Sequence, residues 1–312
     1  MREPVSFIIP SYNSKDLLAK IIPQLLIKSK SSREDEIIVV DDCSSDNSID
    51  FIQKNYPEIK ILKTEKRSGF AGTANTGVNL SIHNIFMLLN PDISIHEDFK
   101  IEPYTNAFKN DKRIFSATPK IIRDTPNGFF NESVPEVKIK KSEINLINLS
   151  PLDKYTECTE IIYPCGGASF FDKKKFLEIN GFDTIYSPFY FEDFDLGIRA
   201  WRNGWKCLNI PYCEVYHQHQ GTIGKFNRRY VKLIGKRNYY IFLWKNFPPD
   251  FVRKLLIYDS TISLIKLKKY NILGFFWSLL KLKKILKDKK CSKIQDKISI
   301  NELLNSSLKQ RQ

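Results

Sequence analysis

The chain has 312 residues, 42% of them hydrophobic, which suffices for one large domain or one domain with an appendage. Its net charge of +14 is unevenly placed: residues 1–221 hold 27 Lys and Arg against 30 Asp and Glu, and residues 222–312 hold 22 against 5. That split excludes a uniformly basic protein and points to an appendage that meets an anionic surface.

Val5 to Pro10 is a short β-rich run ending in a Pro-Ser-Tyr-Asn turn, and a helical pattern follows from Asp16 to about Lys28. Glu36 to Val40 is a second buried strand, Asp41 to Asn47 a polar loop and Ser48 to Asn55 a helix. The alternation continues with Ile59–Leu62, a helix from about Gly72 to Ser81 and the apolar run Ile85–Leu89. Such a series predicts a mostly parallel sheet covered on both faces. From Pro126 to Tyr163 the chain is polar and without a strong period, as in a long excursion over a site. Order returns at Cys165–Phe171, with helices expected from Lys173 to Ile179 and from about Glu192 to Asn203. Glu214–His217 closes the region of mixed composition, and no internal repeat is visible.

Three acidic sites lie where open α/β sheets bind ligands, at the carboxyl ends of strands. Asp41 and Asp42 can bond a uracil or thymine edge and a ribose hydroxyl, while Ser45 or Asp46 can cap the following helix. Asn90-Pro91-Asp92 is either a turn or a single-carboxylate site for Mg²⁺ or Mn²⁺, completed by diphosphate and water. Glu192, Asp193 and Asp195 open a helix, where the dipole favours acids, yet three exceed what a cap needs. Gly166 and Gly167 admit a close backbone approach to a substrate or form a tight turn. His217, with His219 nearby, is either structural or a metal ligand. The six cysteines form no CxxC pair or Cys/His knuckle, so neither a zinc site nor a disulfide framework is indicated, which fits a reducing cytosol.

Seven segments in order carry a resemblance: VSFIIPSYN, EIIVVDDCSSDNS, RSGFAGTANTGV, LLNPD, PCGGASFF, NGFDTIYSPFYFEDFDLGIRAWRNGW and EVYH. Together, over about residues 4–221, they resemble an inverting family 2 glycosyltransferase of the GT-A fold, most closely its rhamnosyltransferase-type branch. The resemblance implies an α/β nucleotide-sugar transferase fold with a Rossmann-like sheet and flanking helices. Residues 1–221 would be the catalytic domain, with a nucleotide-binding half over about 1–95 and an acceptor half over about 96–221. It implies that Asp42 contacts the base, with Pro10, Tyr12 and Asn13 lining the same pocket, and that Arg67 to Asn75, with Gly69, lies beneath the diphosphate and sugar. Asn90 and Asp92 fall on the metal-binding DxD position, from which Asn90 departs, and His217 on a histidine that joins the metal. Asp193 falls on the catalytic base, with Glu192 orienting it and Asp195–Arg199 bracing the helix. The implied donor is a dTDP- or UDP-sugar, with dTDP-rhamnose foremost, and the acceptor a glycan or lipid-linked precursor of surface polysaccharide. The alternative is a non-catalytic relative that binds sugar nucleotide or glycan.

Residues 222–312 form the basic helical region. Ile272, Phe275, Phe276, Leu279, Leu280, Leu282 and Leu286 share a broad arc on a helical wheel, as an interfacial helix would, with Lys283 and Lys287 near it. The competing reading packs these helices on the catalytic domain or on a second subunit, as in a homo-oligomer. No nucleic-acid reading motif accompanies the charge. No apolar h-region follows Met1-Arg2-Glu3-Pro4, and the uncharged apolar stretch Tyr270–Leu280 is 11 residues where a span needs about 20, so neither a cleaved signal peptide nor a membrane span is expected. The expectation is a cytoplasmic enzyme, peripheral on the inner face of the membrane through anionic lipid.

Overall fold

The computed structural model describes residues 2–29, 34–140, 143–218, 224, 226–250, 252–253 and 269–291. Strands β1 (Val5–Ser11), β2 (Glu36–Asp41), β3 (Lys60–Lys63) and β4 (Ile85–Leu89) pair in parallel in the order β3-β2-β1-β4. Every residue of β1, β2 and β4 is buried, which is why their sequences are continuous apolar runs rather than alternations. The pleat sorts them into two cores. Phe7 and Ile9 of β1 meet helix α1 (Lys15–Ser29) through Leu18, Ile21 and Ile22 on one face. Ile8 meets helix α3 (Gly69–Leu80) through Ala74 and Val78 on the other. Helix α2 (Ser48–Asn55) buries Ile52 on the α1 face.

Beyond β4 the sheet changes character. The short β5 (Ile93–Ile95) and helix α4 (Glu102–Asn110) lead into β6 (Ile114–Thr125). The excursion expected to lack regular structure contains four short strands: β7 (Gly128–Asn131), β8 (Glu136–Lys140), β9 (Glu143–Ile147) and β10 (Thr159–Ile161). β7 folds back on β6, β8 and β9 form a separate hairpin, and β10 borders the main sheet. Strands of three to five residues are too short to show a period, and β10 finds its partner, β12, far along the chain.

β11 (Ala168–Asp172) inserts antiparallel between β4 and β6, then helix α5 (Lys173–Glu178) and helix α6 (Glu192–Arg202) precede β12 (Lys206–His217), which runs parallel to β6. The result is a ten-stranded α/β sheet with flanking helices: the expected parallel order holds over β3-β2-β1-β4, whereas β5, β7, β10 and β11 pair antiparallel.

The basic region contributes helices α7 (Arg228–Asn246) and α8 (Lys269–Cys291). α7 buries Tyr239 to Leu243 in the same core as Phe194 of α6, with the Phe194 and Phe242 rings stacked at 4.3 Å. α8 lies on α7. The single apolar arc expected for α8 is divided: Phe275 turns toward Tyr240 and Trp244, whereas Phe276 is 61% and Leu280 78% exposed. Among the described residues no helix is long and apolar enough to cross a membrane, and Cys43, Cys158, Cys165, Cys207 and Cys213 are free.

Candidate active site

A cavity of about 900 Å³ opens where β1, β2 and β4 end, bounded on its far side by the start of α6 and the end of β12. Of the sequence-predicted residues, Pro10, Tyr12, Asp42, Arg67, Gly69 and Asn90 line it, and so do Asp92, Gly167, Glu192, Asp193 and His217. Asn13, Asp41, Asn75 and Gly166 stand behind its wall.

The four that stand back hold the wall in place. Asn13 Oδ1 accepts from the Ser45 amide at 2.8 Å, fixing the β2–α2 loop. Asp41 Oδ1 accepts from the Ser44 amide at 2.8 Å in the same loop. The Asn75 side chain accepts from the Phe182 amide at 2.9 Å and donates to its carbonyl at 2.8 Å, tying α3 to the turn before α6. Gly166 donates its amide to Asp193 Oδ2 at 3.1 Å, and a Cβ there would lie 2.2 Å from Asp193 Oδ1. The glycine pair therefore makes room for side chains: a Cβ on Gly167 would meet Asn90 at 2.6 Å.

At the donor end, Asp42 is buried with both oxygens engaged. Oδ1 accepts from the Ser68 amide at 2.7 Å and Oδ2 from the Gly69 amide at 2.9 Å, so the carboxylate sits at the N-terminus of α3, where the dipole favours it. The Arg67 guanidinium stacks 3.7 Å above the Tyr12 ring.

β12 pairs with both β5 and β6, and its register sets His217 opposite Ile93 and Arg123. That pairing brings His217 Nε2 to 3.4 Å from Asp92 Oδ2. On the other ring nitrogen, Nδ1 bonds Glu132 Oε2 at 2.7 Å, and Glu132 accepts from Arg123 at 3.0 Å. Burial opposes a charge on the imidazole, but the Asp92 and Glu132 carboxylates outweigh it and push the pKa up to about 9. Among the described residues no cluster of three or more His, Cys, Asp or Glu surrounds a metal position. The donor set is one carboxylate and one imidazole, the latter oriented by a carboxylate behind it. Once the His217 Nε2 proton is displaced, such a pair fits a divalent cation that receives its other ligands from a diphosphate and water. His219 lies outside the described residues.

The acid pair at the start of α6 is reached through a strained turn. Tyr190 and Phe191 have φ of 76° and 77°, left-handed values that cost a non-glycine residue roughly 1–2 kcal/mol each. The turn delivers Glu192 and Asp193 with Glu192 Oε2 and Asp193 Oδ1 buried and without a partner among the described residues. Burial raises the pKa of both carboxyls, and repulsion from Asp193 raises Glu192 further. Asp195, two residues on, faces the interior. It bonds Arg199 at 2.7 Å, the expected i,i+4 brace, and Lys245 of α7 at 2.9 Å. Burial alone would raise its pKa, but the two cations hold it well below the usual range.

Sequence reasoning missed Glu132, Arg123, Phe226 and Arg228, which also line the cavity. The first two lie at or beside the excursion and the others at the start of the basic region, and none belongs to a local motif.

A sheet of this order, with acids at strand ends and a second acid pair across the cavity, defines a nucleotide-sugar transferase fold of the GT-A type. The chain belongs to glycosyl transferase family 2, whose model matches residues 6–179. It is similar to a poly(ribitol-phosphate) beta-glucosyltransferase of Bacillus spizizenii, 27% identical over 146 residues, covering 45% of this chain and 23% of that protein. It is also similar to the poly(ribitol-phosphate) beta-N-acetylglucosaminyltransferase TarS of Staphylococcus aureus, 24% identical over 199 residues, covering 60% and 35%. The chain thus spans about a quarter to a third of the length of these relatives. In structure it resembles GalNAc-T7, solved with UDP, GalNAc and Mn²⁺, with a TM-score of 0.63 at 17% identity over 94% of this chain and 58% of that one.

Proposed function

We propose that this chain is an inverting glycosyltransferase that moves one sugar from a UDP- or dTDP-sugar to a glycan or lipid-linked acceptor in surface polysaccharide synthesis. The observation that carries the reading is Asp193 Oδ1, buried without a partner among the described residues in the cavity that Asp92 and His217 also line. A protein that only binds glycan gains nothing from a desolvated carboxylate there.

The nucleoside lies against Pro10, Tyr12 and Asp42, with Asn13 and Asp41 holding the loop beside it. The diphosphate lies between Asp92–His217 and the cations Arg67 and Arg228. Asp92 and His217 would hold Mg²⁺ or Mn²⁺, which would supply charge neutralisation for the departing diphosphate. Asp193 takes the proton of the acceptor hydroxyl while that oxygen bonds the anomeric carbon. The anomeric carbon–phosphate oxygen bond breaks on the opposite face, the nucleoside diphosphate leaves with the electron pair, and configuration inverts. Glu192 orients the base or the acceptor. dTDP-rhamnose rests on the resemblance of motifs alone. The names of the relatives set a glucosyl or N-acetylglucosaminyl donor beside it, and the GalNAc-T7 structure holds UDP with GalNAc.

Asp92→Asn is expected to weaken Mn²⁺-dependent binding of nucleoside diphosphate by roughly ten- to a hundredfold in titration calorimetry, leaving metal-free binding unchanged. Chelation should remove turnover from the wild type. Equal Mn²⁺ dependence in the variant would refute the metal site, and retention of the donor's anomeric configuration in the product would refute single displacement.

α8 supports attachment to an anionic leaflet at the cytoplasmic face. Leu273, Phe276 and Leu280 are exposed on one helical face that continues into exposed Lys283, Lys284 and Lys287. The intact protein should sediment with anionic phospholipid vesicles, and Lys283→Glu with Lys287→Glu should lower partitioning roughly tenfold or more. Equal binding of both proteins to neutral vesicles would contradict this.

A further inference from the structure

Helix α7 carries two adjacent polar side chains, Arg237 and Asn238, that are buried in the interior. The two N–H groups of Asn238 Nδ2 are shared among the carbonyls of Tyr186 at 2.6 Å, Phe189 at 2.8 Å and Tyr190 at 3.0 Å. Its Oδ1 accepts from Arg237 Nε at 2.9 Å, and Arg237 Nη2 donates to the Ser187 carbonyl at 2.6 Å. Four carbonyls within five residues are thus gathered by two neighbouring side chains. The gathered segment runs directly into the left-handed pair Tyr190 and Phe191, then into Glu192 and Asp193. A strained turn persists only where its surroundings over-determine it, and buried carbonyls need donors. Asn238 supplies both requirements at one atom.

We propose that Asn238, steadied by Arg237, is a positioning residue that holds the 186–191 turn in the conformation aiming Asp193 at the acceptor hydroxyl. The inference rests on Asp193 being the base, and it makes the first helix of the basic region part of the catalytic apparatus. The same helix ends with Lys245 and Asn246 on Asp195, so α7 grips both the turn before α6 and the first turn of α6 itself.

Asn238→Asp keeps the shape of the side chain and removes its donors. In the full chain it is expected to lower kcat by roughly ten- to a hundredfold, the scale of a small misplacement of a reacting group, with donor Kd within about threefold of wild type. Because Asn238 acts through Asp193, Asn238→Asp with Asp193→Asn should be no slower than Asp193→Asn alone. Wild-type kcat in Asn238→Asp, or a multiplicative loss in the double variant, overturns the proposal. Should Asn238→Asp not fold, Arg237→Lys, which keeps the cation and loses the forked donors, decides by the same kcat-against-Kd comparison, with a several-fold fall in kcat expected and wild-type kcat overturning it. A fully active Asp193→Asn would instead refute the base assignment, so the two failures are distinguishable.

Discussion

Asp193→Asn is expected to abolish most transfer, lowering kcat by about a hundred- to ten-thousandfold, while donor binding survives. The amide preserves the shape and can still accept from the Gly166 amide, but it cannot take a proton from the acceptor. Because burial raises the Asp193 pKa, wild-type kcat should rise with pH along an acidic limb well above the ordinary aspartate value of 3.8. The base is active above its folded pKa and lost as pH falls through it. The stability sign is opposite to that of a paired acid. A carboxyl with a raised folded pKa binds more protons folded than unfolded, so it costs stability as pH rises through that range. Asp193→Asn should therefore match or exceed the wild-type Tm at neutral pH, a loss of function without loss of fold. Calorimetry beside a pH–rate profile checks both halves.

Asp195→Ala, two residues along the same helix, is expected to destabilise the protein by about 3–5 kcal/mol. Asp195 is fully buried and bonds Tyr186 at 3.0 Å, Arg199 at 2.7 Å, Lys245 at 2.9 Å and Asn246 at 3.1 Å. Removing it leaves two cations close together with their shared anion gone. Its folded pKa is depressed, so its contribution is present above the unfolded aspartate value of roughly 4 and is lost as pH falls through the folded pKa. The difference in urea unfolding between wild type and variant should shrink in acid. A variant within 1 kcal/mol of wild type at pH 7 would show that the network contributes little.

These two neighbours show where sequence sufficed. The runs ending at Ser11, Asp41 and Leu89 are continuous because both sheet faces are covered, so strand, strand end and acidic loop could be located from local pattern. Asp195–Arg199 was legible because helical spacing alone brings the pair together. Lys245, on the contrary, looks like one more lysine of a basic tail, and only the docking of α7 puts it on Asp195. Glu132 was hidden for a similar reason: it meets His217, 85 residues on, because β7 folds back along β6 while β12 pairs with β6. Asn75 and Gly166 belonged to motifs that pointed to the cavity, yet their bonds serve its walls. A motif marks the neighbourhood of a site, and long-range packing decides which of its residues face the ligand.

The most direct test of nucleotide-sugar transfer with Asp193 as base is nucleoside diphosphate release from a panel of dTDP-, UDP- and GDP-sugars. It would be run with Mn²⁺ or Mg²⁺, with and without lipid-linked acceptor extracts, on wild type and Asp193→Asn. The account predicts acceptor-dependent release from one donor by the wild type, lost in the variant and lost on chelation. Saturable nucleotide binding with no release across the panel, or equal release by both proteins, would contradict it.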